Sequence, residues 1–304
     1  MSDRFTRAMI VLAVGALGLA HTGCSIKMMA INTLGNALAE GSSGFGRDDD
    51  PELVRDAVPF ALKTIESLLD SSPKHKGLLL AACSGFTQYS YAFIQQEADF
   101  IEAKDLDRAT EMRKRAKKLY LRARDYGMRG FEVDFPGFSG QLRKDPDAAL
   151  AKVTKKQVPL LYYTGASWAA AFAVDVTDSS LSVEQTLFEK MLRRALALDE
   201  AYELGSLHDF FISWEAGHAS AGGSMAKARE HFERAELLAD GKRVSLFVTL
   251  AESVAVSEQK KDEFETLLKE ALAVDISKAP DQKLANIIAQ RRATWLLSRV
   301  DELF

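Results

Sequence analysis

From residue 50 to the C-terminus, apolar side chains return every three or four positions, and Asp, Gly and Pro stand where such runs must stop. Asp50 followed by Pro51 predicts an N-cap and a first turn, and Leu53, Ala57, Phe60, Ala61, Ile65, Leu68 and Leu69 predict one apolar stripe behind it. Pro59 lies inside that stripe and predicts a kink. No stretch alternates in the strand manner for long. The expected fold class is all-α, with about ten to twelve helices.

A second pattern is laid over the first. A large side chain followed three residues later by alanine recurs as Tyr120/Ala123, Leu192/Ala195, Phe232/Ala235 and Leu268/Ala271, and Asp199, Asp240 and Asp275 follow the last three. The alanines at 195, 235 and 271 are 40 and 36 residues apart, near the tetratricopeptide period of about 34. Alanine at a fixed place lets two helices approach closely, so the repeat predicts antiparallel helix hairpins in a tetratricopeptide-like α-solenoid. Two glycine clusters, Gly127-Met128-Arg129-Gly130 and Phe135-Pro136-Gly137-Phe138-Ser139-Gly140, predict a connector that breaks the helix. Asp145-Pro146 restarts it. The stretch Gln157 to Val174 has no charged side chain and is apolar all round. Its tyrosines, hydroxyls and early Pro159 suit a central buried helix better than a membrane span.

The first residues follow a different plan. Arg4 and Arg7 precede the uncharged run Ala8 to Ala20, and His21-Thr22-Gly23-Cys24 closes it. This is the layout of a bacterial lipoprotein signal peptide over residues 1–23, with Cys24 as the lipidated new N-terminus. His21 departs from the aliphatic residue usual at that place. Residues 24–49, including Gly41-Ser42-Ser43-Gly44-Phe45-Gly46, read as a flexible tether, and 50–304 as one helical domain. Such a protein is periplasmic and held to a membrane, with Ser25 after the cysteine favouring the outer one.

Composition narrows the function. Of 304 residues, 47% are hydrophobic and 27% charged, as in a globular protein. Without the leader, 37 basic residues face 42 acidic ones, which gives no electrostatic case for nucleic acid. With Cys24 acylated, Cys83 is alone, so there is neither a disulfide framework nor a cysteine metal site. His75, His208, His218 and His231 are scattered, and no hydrolase or metalloprotease motif occurs. His208, Asp209, Glu215 and His218 are the nearest approach to a proton-transfer set, and a surface role suits them better. The chain reads as non-enzymatic, with no catalytic residue, cofactor or metal.

Candidate binding residues come from aromatics at helical spacing. Tyr162, Tyr163, Thr164, Ser167 and Trp168 combine apolar area with hydroxyls and suit the lining of a pore or groove. Phe210, Phe211 and Trp214 form a second cluster on the first helix of a hairpin. Each group has core packing as its plainer reading. Arg113, Lys114, Arg115, Lys117, Lys118, Arg122 and Arg124 share one helix face, read as solvated or as a dock for an acidic partner or lipid phosphate. Asp48-Asp49-Asp50 lacks calcium-loop spacing and reads as capping.

Three segments carry a family likeness: Asp48 to Lys63, Gly85-Phe86-Thr87-Gln88-Tyr89, and Val158-Pro159-Leu160-Leu161-Tyr162-Tyr163-Thr164-Gly165-Ala166-Ser167-Trp168. Together with the paired helices that follow, the chain from about residue 24 onward resembles the T component of TRAP transporters (TatT). The resemblance implies a periplasmic lipoprotein of cryptic tetratricopeptide-like hairpins, a homotrimer with a pore through each protomer. It further implies association with a periplasmic substrate-binding protein that delivers small apolar or organic-acid ligands to a membrane permease. The alternative is an envelope scaffold or assembly lipoprotein that grips other proteins in its groove.

Overall fold

The computed structural model describes residues 33–37, 42–219 and 222–304. The leader and Cys24 lie outside the described residues. Among the described residues every regular element is a helix. From Ser42 onward there are sixteen α-helices: α1 (Ser42–Gly46), α2 (Pro51–Ser71), α3 (Lys76–Ser90), α4 (Gln96–Ile101), α5 (Leu106–Asp134), α6 (Phe138–Lys144), α7 (Pro146–Ala151), α8 (Val158–Ala173), α9 (Ser179–Ser182), α10 (Gln185–Leu198), α11 (Ser206–Gly217), α12 (Met225–Ala239), α13 (Ser245–Leu250), α14 (Lys261–Ala273), α15 (Lys283–Leu297) and α16 (Val300–Leu303). The number exceeds the expected ten to twelve because short pieces such as α1, α6, α7, α9 and α16 escape a periodicity window. Two π-helical turns, Tyr91–Gln95 and Ala251–Ala255, also divide what the sequence presents as single helices.

Capping follows the sequence. Asp50 accepts from the backbone of Glu52 and Leu53 at 3.1 and 3.0 Å, Asp105 from Arg108, Asp145 from Ala148, and Ser224 from Lys227. The repeat alanines Ala123, Ala195, Ala235 and Ala271 are all fully buried. Helix α2 runs through Pro59, but its buried face is Val54, Leu62, Ile65 and Leu69. Leu53 and Phe60, placed on the stripe by sequence, are 59% and 79% exposed. Ile65 and Leu69 are buried as expected, while Val54 and Leu62 take the places of Leu53 and Phe60, because apolar residues occupy both flanks of α2 and α3 decides which flank packs.

The glycine connector is the larger correction. Helix α5 is 29 residues long and passes unbroken through Gly127 and Gly130; only Phe135 to Gly137 interrupts, with Gly137 at φ +83°. A β-carbon on Gly127 would lie 2.0 Å from Thr164 Oγ1 and 3.0 Å from Cys83 Sγ, so the bare backbone is what lets α5 meet α8 and α3. Gly165 repeats the device, its missing β-carbon lying 2.6 Å from Leu192 Cγ on α10. The expected spacer is likewise part of the body: Ser42–Gly46 is helical, with Gly46 against the Asp281 carbonyl and Arg47 Nε donating to Asp281 at 2.5 Å.

The charge-free segment forms α8, with Val158, Leu161, Thr164, Gly165, Ser167, Trp168, Ala169 and Ala171 buried. Among the described residues no helix is long and apolar enough to cross a membrane. Three apolar clusters follow the chain, around Leu62 to Phe86, Ile94 to Trp214 and Ile212 to Leu296. Successive helices pack in order, α3 and α8 on α5, α10 on α8, α12 and α13 on α11, α15 on α13 and α14. Helix α15 then meets α1 and α2, so the array closes on itself. That closure is polar: Lys283 pairs with Asp49, Arg291 with Glu97 at 3.0 Å, and Arg292 with Asp99 at 3.1 Å. Phe100 and Trp295 add one aromatic contact at 5.1 Å between centroids.

Candidate functional site

Both π turns follow side-chain hydroxyls bonded back to the helix. Thr87 and Ser90 are buried and donate their hydroxyls to the carbonyls of Cys83 and Phe86, one turn back; Thr249 does the same to Ser245. Such back-bonding competes with the helix ladder and bends it. The turns that follow close through longer loops, from Gln96 N to Tyr91 O and from Val256 N to Ala251 O. Each extra residue rotates the side chains within it, and π turns of this kind gather at functional sites. Here they turn Tyr91 and Glu252 toward the same side chain, Arg292 of α15.

Arg292 donates from Nε and Nη2 to the two Glu252 oxygens at 2.7 Å each and from Nη1 to Asp99 at 3.1 Å. Burial opposes its charge, but these carboxylates hold its pKa above the ordinary value. A second pair lies nearby. Arg243 Nη2 and Nε reach Asp209 Oδ2 at 3.1 and 3.3 Å, and its Nη1 donates to the Glu203 carbonyl at 2.9 Å. That carbonyl belongs to a turn in which Glu203, Leu204 and Gly205 all have positive φ, at 48°, 56° and 84°. Two consecutive non-glycine residues there store strain, which Arg243 helps to hold.

Four phenols complete the arrangement. Tyr162 meets Tyr163 and Tyr202 edge-on, with centroids 5.0 and 5.5 Å apart. Tyr163 accepts a hydrogen bond from Gln88 Nε2 at 3.3 Å. Tyr91 is 45% accessible, and Tyr162, Tyr163 and Tyr202 are partly so. All four nevertheless have pKa values raised first of all by desolvation, that of Tyr163 well above the ordinary value. Each keeps part of its surface accessible while protein crowds its hydroxyl, and Tyr162, Tyr163 and Tyr202 stand together as one wall. At neutral pH they stay protonated and offer O–H donors beside apolar ring faces.

The sequence candidates divide at this wall. Tyr162 and Tyr163 lie on it. Thr164, Ser167 and Trp168 are closed off, Trp168 being 1% exposed under Arg124 and against Phe188. Phe211 and Trp214 are core as well, and partly buried Phe210 stacks on Trp214. One turn of α8 thus leaves its tyrosines partly accessible, sends Thr164 into the α5 junction and turns the Ser167 hydroxyl back to the Thr164 carbonyl. Thr164 there lies 3.8 Å from the Cys83 thiol, whose pKa burial pushes up to about 12. Tyr91, Tyr202, Arg243, Glu252 and Arg292 escaped the sequence reading. Glu252 had a signal, as the one charge between Ser245 and Val256; the π geometry had none.

The remaining candidates are taken up elsewhere. His208 Nδ1 lies 2.8 Å from His231 Nδ1, Glu215 pairs with Arg193 at 2.8 Å, and His218 stacks on Trp214 with Nε2 3.3 Å from Gln185, so no proton-transfer set converges. In the basic run Arg113 binds Asp99 and Glu102, Lys114 binds Glu111, Lys117 binds Asp175 and Asp178, Arg122 faces Glu66, and Arg124 binds Asp125. These cations are satisfied within the chain, which removes most of the charge a docking face would use. Asp48 and Asp50 serve the α2 cap. Among the described residues no group of three or more His, Cys, Asp or Glu is placed to hold a metal ion.

Comparison with known proteins adds two findings. The family model described as TRAP transporter T-component matches residues 47–304. A protein of Treponema pallidum (strain Nichols) is 31% identical over 301 residues, covering 93% of each chain.

Proposed function

The chain belongs to the TRAP transporter T-component family, a transport-associated and non-catalytic family, and from that premise we propose that Tyr91, Tyr162, Tyr163 and Tyr202 wall a hollow that receives a small ligand with an apolar body. The observation that carries this reading is the combination of accessibility and desolvation at Tyr91, Tyr162, Tyr163 and Tyr202. Burying hydrocarbon against such rings yields about 25 cal/mol per Å², with no bond made or broken. Apolar molecules and organic acids both fit the wall by their hydrocarbon parts.

In this proposal Cys24 carries the lipid, the body stands in the periplasm on the outer membrane, and three copies assemble. A periplasmic substrate-binding protein is the exchange partner. The family membership and the leader layout support each of these steps. The test is native mass spectrometry of the lipoprotein extracted from its own cells, alone and with a co-expressed binding protein. Bound small molecules that disappear in a Tyr162→Ala, Tyr163→Ala variant are expected, together with a complex with the binding protein. A clean protein in complex with outer-membrane assembly factors would instead favour the scaffold reading.

A further inference from the structure

Helix α5 carries a row of cations that the chain leaves unneutralised. Arg113, Lys117 and Arg124 of its basic run are committed to carboxylates, but Arg115 and Lys118 are exposed and have no ion pair among the described residues. The same holds for Arg108 and Arg129, although Arg129 donates to the Pro73 carbonyl at 3.3 Å. Arg122 is exposed too, with Glu66 no nearer than 3.6 Å. At 3.6 residues per turn, these five side chains fall within an arc of about 80° and along about 32 Å of the helix. Two acids beside them are already paired, Glu111 with Lys114 and Asp125 with Arg124, at 2.8 Å each. Asp107, at the edge of the arc, offsets one charge. The ridge therefore stays strongly positive on a chain whose formal net charge is −4.

One end of the ridge lies beside the start of the chain. Pro73, which accepts from Arg129, is followed by the exposed Lys74 and by His75. The described part of the tether is seated on His75: a β-carbon on Gly35 would lie 3.0 Å from His75 Nε2 and 3.0 Å from Leu78 Cδ1. Asn36 shares a surface recess with Lys74 and Lys76. Thr33, where the described tether begins, is nine residues beyond Cys24. A fully extended chain of that length reaches about 32 Å. A leaflet holding Cys24 thus stands within one ridge length of the tether's seat. It is flat on this scale, and the unbroken α5 can lie along it with all five cations within a Debye length, about 8 Å at physiological salt, of its phosphates.

We propose that this basic ridge rests on the leaflet that holds the lipid anchor, with its guanidinium and ammonium groups among anionic phospholipid headgroups. The proposal rests on the lipidation of Cys24 and adds which face of the body meets the membrane. An acidic protein would have to be recruited to the ridge, whereas the leaflet is tethered next to it.

The lipoprotein is reconstituted into nanodiscs of phosphatidylcholine alone and of phosphatidylcholine mixed with phosphatidylglycerol, and lysine acylation rates are read residue by residue by mass spectrometry. Phosphatidylglycerol is expected to slow acylation of Lys118 about fivefold in dilute buffer and not at all in molar salt. Lys227 on α12 should keep its rate. Arg108→Glu with Arg115→Glu, both exposed and checked for folding by circular dichroism, is expected to abolish the slowing. Should that variant not fold, the lipid and salt comparison in the unaltered protein decides. Equal acylation of Lys118 in both nanodiscs, slowing that persists in the folded variant, or slowing that needs a co-expressed substrate-binding protein overturns this inference and leaves the anchor standing. A chain that enters neither nanodisc refutes the lipid on Cys24, and the inference falls with it.

Discussion

Two junctions in this molecule hold helices together by opposite means. Where α5 crosses α3 and α8, Gly127 brings backbone against Thr164 and Cys83, and Gly130 does so against Leu160. Shape alone decides that contact. Where α15 returns to α1, α2 and α4, the contact is made by Arg47–Asp281, Lys283–Asp49, Arg291–Glu97 and Arg292–Asp99, with Phe100 and Trp295 as its one ring pair. The first junction tolerates no added volume and is indifferent to salt. The second accepts small displacements and depends on charge. A closed array needs one joint between segments far apart in sequence, and here that joint is the ionic one.

The comparison breaks most sharply at Arg292, the least exposed of the seam's charged side chains at 13%. Arg292→Ala leaves Glu252 without its cation and Asp99 with Arg113 alone. The expected loss is about 3 kcal/mol of unfolding free energy in urea titration, near the lower end of what removing one partner of a buried pair costs. A loss no larger than that of an exposed lysine would mean that the seam holds nothing. Gly127→Ala follows, at about 2 kcal/mol, because its β-carbon has no space and the neighbour is a helix side chain packed from behind. Its melting temperature should fall equally at low and high salt.

The α11–α12 junction adds a pH-dependent case. His231 faces His208 at 2.8 Å, and burial together with the neighbouring imidazole lowers its pKa to about 4. The folded chain therefore refuses a proton that the unfolded chain accepts from about pH 6.5 downward. Stability from this group is complete above pH 6.5, falls by about 1.4 kcal/mol per pH unit at most, and levels off below pH 4. His231→Gln should flatten that part of a stability profile measured between pH 7 and pH 4; an unchanged slope would sink the assignment. Lys283→Ala, which removes a more exposed seam pair, should cost about 0.5 kcal/mol in dilute buffer and nothing measurable in molar salt. Smallest is Gly140→Ala, a helical glycine with nothing within 4 Å of its missing β-carbon. It should stabilise the protein by about 0.5 kcal/mol, the reverse of Gly127.

Glycine shows how much of this was legible. The spelling Gly127-Met128-Arg129-Gly130 is that of a helix breaker when read locally, yet the chain stays helical there because α8 fills the space. The alanines of the repeat were legible, since their role is the same in each hairpin and recurs along the chain. Tyr162 and Trp168 differ by six positions on one uncharged helix, and nothing in that helix says which one stays accessible. Tyr91 was further out of reach, because its direction depends on the π turn Tyr91–Gln95, which apolar periodicity does not announce.

What the sequence determined by itself is what neighbouring residues settle among themselves: the all-helical class, the aspartate caps, the small residues at crossings and the lone charges within apolar runs. Helical period and capping act within a turn or two, so one segment suffices to read them. The partition of aromatics between core and accessible wall, the use of glycine as a contact and the ionic closure were decided only by the tertiary structure. Asp99 and Arg292 are 193 residues apart, and at that separation charge and shape acquire a partner only once every helix between them is in place.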